Sequence, residues 1–498
     1  MVMKDKTFTS KASQITFLKG KWATLDSKEM EIQWKNIHWP TIQRRVNKLQ
    51  SRITKAVKEG KKRLAKKLQY LLTKSFFAKL LAVRKVTTNR GKNTSGIDKR
   101  LWSTAASKLK GTLSLECKGY KASPLRRTYI EKKNKKKKRP LGIPTIYDRA
   151  MQALYAMALD PIAEATADNV SFGFRKKRCT HDAADHIFRY LRTENSAQWI
   201  LEGDIKGCFD NINHQWMLEN IPMDKKILGQ FLKAGFVYRK RLFPTTNGTP
   251  QGGIISPILA NMTLDGIERL IKEKYWTNKK GTIDSDYNKH RVNYTRYADD
   301  FVVSAESREI LLDIKQMIKD HLKQRGLTLS EEKTLITHID QGFDFLGWNF
   351  RKFKGKLIIK PSKDSLKSIT TKIRNTIKLY QANKQELLIW KLNPIITGWA
   401  NYHRSTAAKE SFSKVDNDTF LSLWKWANRR HPNKSSRWIK NRYWKTDKHR
   451  AWIFSNGKVA VKFAVHTKIL RHHIIKFDAN PYLQTDQLYY IAREKTKK

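Results

Sequence analysis

From Thr41 onward, apolar residues recur with a helical period: Ile42, Val46, Leu49, Ile53 and Val57. The spacing predicts one helix, which Gly60 interrupts, and Leu64, Leu68, Leu71 and Leu72 predict a second. The opposite faces carry Lys and Arg, among them Arg44, Arg45, Lys48 and Arg52. Such a stripe suits a helix lying on phosphates, although an ordinary solvated face reads the same way. The first forty residues are polar and are expected to be loosely ordered. Between 199 and 350, short apolar runs alternate with helical periods and glycine-rich turns, the pattern of an α+β or α/β unit. After Pro361 the period is helical again. Ser365 is placed to cap a helix whose apolar face is Leu366, Ile369, Ile373, Ile377 and Tyr380. No internal repeat is present.

Composition narrows the picture. The chain has 498 residues, and 101 Lys and Arg against 44 Asp and Glu give a net charge of +57. That length suggests about three or four domains, and 40% hydrophobic residues exclude a disordered polycation. No apolar run approaches the ~18 residues of a membrane span, and no signal core opens the chain. Cys117, Cys179 and Cys208 are far apart and form no CxxC pair, which points to a reducing compartment. A pI near 10.2 points to a nucleic-acid partner, bound more weakly as salt is added. Residues 132–139 read KKNKKKKR and run into Pro140-Leu-Gly-Ile-Pro144, which predicts a hairpin presenting cations; a solvated loop or a localisation signal would have the same composition. Seven of the fifteen tryptophans fall between Trp390 and Trp452. Between Asp418 and Asp478 the only acid is Asp447, against fifteen Lys and Arg. The chain from about Leu421 therefore reads as a basic, aromatic-rich binding unit. Its tryptophans either stack on bases or fill a core, and core packing is expected for most of them.

Three segments carry chemistry. Trp199–Asp210 is an apolar run ending in Asp204, followed by a turn and Phe209. Tyr294–Val303 places Asp299 and Asp300 between two β-prone runs, as at a hairpin turn. Gly248–Pro257 is a glycine-rich loop entering a helix, with Ser256 expected at the N-cap and Pro257 at the first helical position. Adjacent carboxylates held out of water repel and cost several kcal/mol each. A divalent cation resolves this, and two ions ~4 Å apart suit in-line phosphoryl displacement. Asp204 and Asp299 are then the main ligands, on adjacent strands of one sheet, with Asp300 secondary. A lone Asp-Asp pair would read as an exposed turn; the Tyr-Ala-Asp-Asp context and upstream Asp204 favour the metal site.

Together the Tyr297–Asp300 box, the Asp204–Phe209 segment and the GTPQGGIISP loop resemble the palm of reverse transcriptases, and in particular of group II intron-encoded reverse transcriptase/maturases. Arg139–Pro144 and Ser171–Arg175 resemble the fingers motifs, Gly326–Thr334 a palm segment, Phe343–Trp348 the primer grip and Gly398–Tyr402 the maturase thumb. The resemblance covers roughly residues 34 to 490. It implies an α+β right-hand fold: an N-terminal helical extension (1–75), fingers and palm (76–360), a helical thumb (361–420) and a basic DNA-binding domain (421–498). It implies two Mg²⁺ ions at Asp204, Ile205, Asp299 and Asp300, with the three aspartates catalytic. Phe209 would exclude a 2′-hydroxyl, while Gln251 and Gly252 would let backbone approach the nucleotide. Lys136, Lys137, Lys138 and Arg139 are candidates to clamp the triphosphate, with Arg175 as an alternative. Lys333 would protonate pyrophosphate or be a surface lysine. Gly347, Trp348, Trp399 and Tyr402 would contact nucleic acid, as would Arg44, Arg45, Lys48 and Arg52, and Arg429, Arg430 and Lys434. His403, His472 and His473 read as polar or phosphate contacts rather than metal ligands. With no cysteine after Cys208, no zinc-bearing nuclease is expected.

The implied activity is RNA-templated DNA synthesis together with maturase function. The implied partners are intron RNA, target DNA and dNTPs in a ribonucleoprotein that could be dimeric, with no membrane partner. Bacterial cytoplasm is the expected compartment, with an organelle as the alternative. Rival readings are an RNA-dependent RNA polymerase, which Phe209 opposes; a splicing-only RNA-binding maturase, which the intact aspartates oppose; and a reverse transcriptase of a defence or CRISPR system.

Overall fold

The computed structural model describes residues 24–131, 138–446 and 450–496. At its centre four strands lie side by side in the order Asn293–Tyr297, Asp300–Ala305, Trp199–Asp204 and Leu335–His338, antiparallel throughout. Leu201, Phe301, Val302 and Val303 are buried in it. The helix Arg308–Lys323 packs on this sheet and buries Leu311, Ile314, Ile318 and Leu322. Gly203 is required here: a Cβ would meet the Phe301 ring at 2.1 Å. Only Asn293–Tyr297 and Asp300–Ala305 are joined by a tight hairpin turn; helices lie between the other strands of this sheet in the chain.

A second sheet holds the predicted lysine hairpin, Leu125–Glu131 paired with Lys138–Ile143, extended by Phe236–Tyr238 and Arg241–Phe243. Lys136 and Lys137 lie outside the described residues. The helix Ile146–Thr166 is capped by the Thr145 hydroxyl and buried on most of its surface. The helices Trp39–Lys58, Lys62–Lys74 and Phe76–Thr88 pack against it. A third sheet, Phe343–Phe345, Trp348–Phe353 and Lys356–Pro361, leads into the helices Lys363–Leu379, Gln385–His403 and Lys409–Arg430. These helices have their own core, with Ile373, Leu392, Phe412 and Trp426 at its centre.

Several expectations are corrected. Within the first forty residues, Ser27–Lys35 is a helix, because Asp26 and Glu29 form a capping box and Met30 is buried. Leu68 and Leu72 are buried as expected, but Leu64 and Leu71 are exposed, and Ala65 joins the buried stripe instead. Ser256 is the first helical residue rather than the cap, and its hydroxyl contacts Thr249 Oγ1 (2.7 Å) and the Pro250 carbonyl (2.9 Å). Ser362, not Ser365, caps the later helix, accepting from the Ser365 N–H at 3.1 Å. The chain from 421 onward does not pack as one unit. Leu423, Tyr443, Trp444 and Phe454 share the core of the thumb helices. Ile475, Ala479 and Tyr490 instead join the core around the central sheet, together with the N-terminal helices. Asp182 anchors this return: its carboxylate accepts from Ile475 N–H (3.0 Å) and pairs with His472 Nε2 (2.9 Å) and Arg493. Trp424, Trp426 and Trp444 pack in the core as expected, whereas Trp390 is 57% exposed. Among the described residues no helix is long and apolar enough to cross a membrane.

Candidate active site

Strand register brings the acids together. Asp204 lies directly opposite Asp300 on the neighbouring strand, and Tyr297 pairs with Asp300, so Ala298 and Asp299 form the hairpin turn. Ala298 holds a left-handed φ of +59°. The Ser171–Arg175 block lies against this turn. Arg296 N–H donates to the Val170 carbonyl (3.0 Å), and Phe172 N–H to the Arg296 carbonyl (2.9 Å). A Cβ on Gly173 would sit 2.3 Å from the Ala298 nitrogen.

Three carboxylates therefore converge, and among the described residues one side-chain cation touches them: Lys333 Nζ lies 2.7 Å from Asp204 Oδ2. That hydrogen bond raises the Lys333 pKa and keeps the ammonium charged. Burial and then the Asp204 charge push Asp299 up, while Arg139 and Lys333 pull it down. Crowding by protein, then Asp299 and Asp204, push Asp300 up to about 7. The Asp300 side chain still reaches solvent, so repulsion from the neighbouring carboxylates is the part that bears on function. An all-oxygen donor set whose acids mutually destabilise one another fits hard divalent cations. Ile205 is buried by its side chain; it bridges Leu329 through the neighbouring Asp204 and Lys206, which leaves its own carbonyl out of the bridge.

The nucleotide-side residues gather around the same corner. Phe209 sits on the short helix Cys208–Asn211, half-buried, edge-to-face with Phe174 at 6.2 Å. Its carbonyl accepts from Thr249 N–H at 2.7 Å. Gly248, at φ +80°, passes so close that a Cβ would meet the Phe209 carbonyl oxygen at 2.5 Å. The Gln251 carbonyl accepts from Gly142 N–H at 2.9 Å, so the loop is pinned between the Phe209 helix and the Lys138–Ile143 strand. Gln251 Nε2 reaches Asp210 at 3.4 Å, and Gly252 holds φ +117°. Lys138 and Arg139 are exposed at the start of that strand. His214, which sequence reasoning missed, contacts the Gly248 carbonyl at 2.7 Å and braces the loop.

Other expected contacts fall elsewhere. Arg175 is not available to a triphosphate: it is buried, bidentate to Glu164 at 2.7 and 2.9 Å, and bonded to the Asp168 and Ser171 carbonyls. Trp348 is fully buried and stacks on Tyr402, ring centroids 4.6 Å apart; the Tyr402 hydroxyl donates to the Leu346 carbonyl at 2.8 Å. The Trp348 ring thus joins the third sheet to the thumb and does not face nucleic acid. Gly347 and Trp399 line a cavity of about 530 Å³ with Asp344, Ser365 and Lys372. His403 is buried and bonded to Ser365 Oγ (3.0 Å), and His472 is spent on Asp182, so neither is a phosphate contact. Cys179, Asp182 and His472 do cluster, across a separation the sequence does not reveal. Arg493 already occupies the carboxylate, so the group works as a protein clasp.

The proposed nucleic-acid contacts elsewhere are accessible. Arg44, Arg45, Lys48 and Arg52 are exposed on one helix, with Arg45 over the Phe77 ring at 4.6 Å. Arg429 and Arg430 line a groove of about 680 Å³ with Arg374, Lys378 and Lys425. Arg430 donates to the Asn383 carbonyl at 2.7 Å, and Lys434 lies over the Trp438 ring at 5.6 Å.

An antiparallel sheet that delivers carboxylates from a strand end and the neighbouring hairpin turn defines the palm of a right-hand nucleic-acid polymerase. Family models agree. Residues 130–350 match "Reverse transcriptase (RNA-dependent DNA polymerase)", 34–115 match "N-terminal domain of reverse transcriptase", and 366–444 match "Group II intron, maturase-specific domain". The chain belongs to the reverse transcriptase family, in the group that also carries a group II intron maturase domain. It is 32% identical over 374 residues to group II intron-encoded protein LtrA of Lactococcus lactis subsp. cremoris, covering 64% of this chain and 62% of that protein. It thus spans less than two thirds of that relative's length. Identity is 30% over 305 residues to protein YkfC of Escherichia coli, 53% of this chain and 78% of that one. Maturase-like protein 1 of Euglena gracilis is 27% identical over 384 residues, 74% and 77% of the two chains. A telomerase structure from Candida albicans aligns over 64% of each chain with a TM-score of 0.34 and 11% identity. Reverse transcriptases generally use divalent metal ions.

Proposed function

We propose that the protein is an RNA-directed DNA polymerase that copies intron RNA by target-primed reverse transcription, and a maturase that binds the same RNA to promote its splicing. The observation that carries this is the strand register facing Asp204 with Asp300, with Asp299 on the turn beside them and Lys333 in contact with Asp204. Asp204, Asp299, Asp300 and the Ile205 carbonyl would hold two Mg²⁺ ions. When bound, such ions supply charge that activates an attacking hydroxyl and offsets the leaving group. The protein's own parts follow from their positions. Phe209, fixed by Phe174, fills the space a 2′-hydroxyl would need and offers it no polar partner. Gly252 and Gln251 bring backbone close to the nucleotide, and Lys138 and Arg139 meet the triphosphate. Lys333, held charged beside Asp204, is placed to give a proton to pyrophosphate. The cationic helix Trp39–Lys58 and the thumb groove bind intron RNA phosphates. The segment around Lys434 meets target DNA.

The test is primer extension on an annealed RNA template with dNTPs and Mg²⁺. Wild type should extend the primer and prefer deoxynucleotides. Asp299→Ala should lose at least about 10³-fold, with RNA binding retained in a filter assay. Unchanged synthesis by the variant would remove these carboxylates from the mechanism.

A further inference from the structure

Behind the turn that carries Asp299 lies a charge the mechanism above does not use. Arg296 is completely buried. A buried guanidinium costs several kcal/mol unless it is paired and hydrogen-bonded, so its partners explain its presence. Nη2 forms an ion pair with Asp265. Nη1 donates to Asn261 Oδ1 at 3.3 Å and to the Ala298 carbonyl at 3.2 Å. That last contact falls on the one non-glycine residue of the hairpin turn held at positive φ. A left-handed conformation costs a residue with a Cβ roughly 1–2 kcal/mol, so something must hold Ala298 there. On its other side, Gly173 closes on the Ala298 nitrogen, and Asn261 Nδ2 fixes the Gly173 carbonyl at 2.8 Å. Asn261 and Asp265 belong to the helix Ser256–Leu264 and its C-cap, which follows directly from the Gln251 loop. One guanidinium therefore joins the turn of Asp299 to the element that ends the nucleotide loop.

We infer that Arg296 is a positioning residue for DNA synthesis: by holding the Ala298 carbonyl it sets the backbone that presents Asp299 beside Asp204, with Asp265 and Asn261 fixing its own orientation. The inference rests on the polymerase reading of those aspartates. Arg296→Lys keeps the positive charge for Asp265, but one ammonium cannot span the fork from Asp265 to the Ala298 carbonyl. Asn261→Ala keeps both charges and removes one brace. The assay is steady-state primer extension with Mg²⁺ titrated, alongside template–primer affinity and thermal unfolding. For Arg296→Lys, kcat should fall about 10- to 100-fold. The Mg²⁺ concentration for half-maximal rate should rise several-fold, while KM for dNTP and template–primer affinity stay within about twofold of wild type. Asn261→Ala should show the same signature, smaller. A residue serving only the core would lower the amount of folded enzyme without moving the Mg²⁺ requirement of what remains. A wild-type Mg²⁺ requirement and kcat in folded Arg296→Lys would overturn the inference. If that variant does not fold, the same result in Asn261→Ala overturns it. Failure of the wild-type enzyme to make DNA would instead strike at the polymerase reading.

Discussion

Two groups of carboxylates lie on opposite sides of the Ala298 turn, and the fold treats them differently. In front, Asp204, Asp299 and Asp300 face one another, and among the described residues Lys333 is the side-chain cation in contact with them. Behind, Asp168, Asp265 and Glu268 are supplied with donors from within the chain. Asp265 pairs with Arg296; Asp168 accepts from Gly266 N–H (3.0 Å) and Glu268 N–H (3.4 Å); Glu268 takes Val170 N–H (3.1 Å) and Lys272 (2.5 Å). Asp182, which clasps the returning C-terminal segment, is saturated in the same way. The difference teaches how to tell a structural acid from a working one. The density of acids is similar in the two groups, and the supply of donors separates them. Acids that hold the fold are satisfied inside the chain, whereas the acids proposed to do the chemistry have fewer donors among the described residues.

The contrast can be broken most directly by stability. Asp265→Ala leaves the Arg296 guanidinium buried and unpaired and should cost about 3–5 kcal/mol. Asp299→Ala removes a carboxylate repelled by its neighbours and should leave stability in metal-free buffer unchanged or slightly higher. Urea unfolding measures both, and equal losses would erase the distinction. The clasp extends the test. Ile475→Ala should cost about 2–5 kcal/mol as a buried core deletion, while Leu488→Ala, at an exposed position, should stay within about 0.5 kcal/mol. A silent Ile475 variant would mean that the tail does not pack on the palm.

Smaller effects sharpen the front side. Phe209→Val should raise ribonucleotide use relative to deoxynucleotide use by about tenfold or more, read as the ratio of kcat/KM values. An unchanged ratio would place the sugar elsewhere. The pH response is the finest probe. With its folded pKa near 7 against an ordinary 3.8, Asp300 holds a proton in the folded protein that the unfolded chain has already released. Metal-free stability should therefore fall as pH rises from about 4 to 7. Asp300→Asn should flatten that slope, and Mg²⁺, which favours the ionised form, should oppose it. Melting temperatures at pH 5 and pH 8, with chelator and with Mg²⁺, would show it; an identical slope in the variant would contradict the assignment.

Much of the front side was legible in the sequence because it is local. The Asp299–Asp300 doublet between β-prone runs already implies a hairpin, and Gly248 and Gly252 mark where backbone must pass closely. The back side was not legible. Nothing near Arg175 or Arg296 in the chain says which acid each will meet. Arg175 pairs with Glu164, and Arg296 with Asp265 and the Ala298 carbonyl. Trp348 read as a nucleic-acid contact because it ends a motif block, yet its ring packs against Tyr402. The tail read as one basic unit because composition does not show where the chain turns back, and the apolar Ile475 and Tyr490 that draw it onto the palm are too few to form a pattern.

The sequence by itself determined the chemical inventory: which residues can hold ions, which turns must form, and a net charge of +57 that suits a polyanionic partner. These follow from side-chain chemistry and from conformational preferences acting over a few residues. Only the tertiary structure decided which cation faces which acid, because those pairings join positions up to hundreds of residues apart, as Arg493 does with Asp182. A charge left unpaired and a charge neutralised look identical until strand register and helix packing bring their neighbours into place.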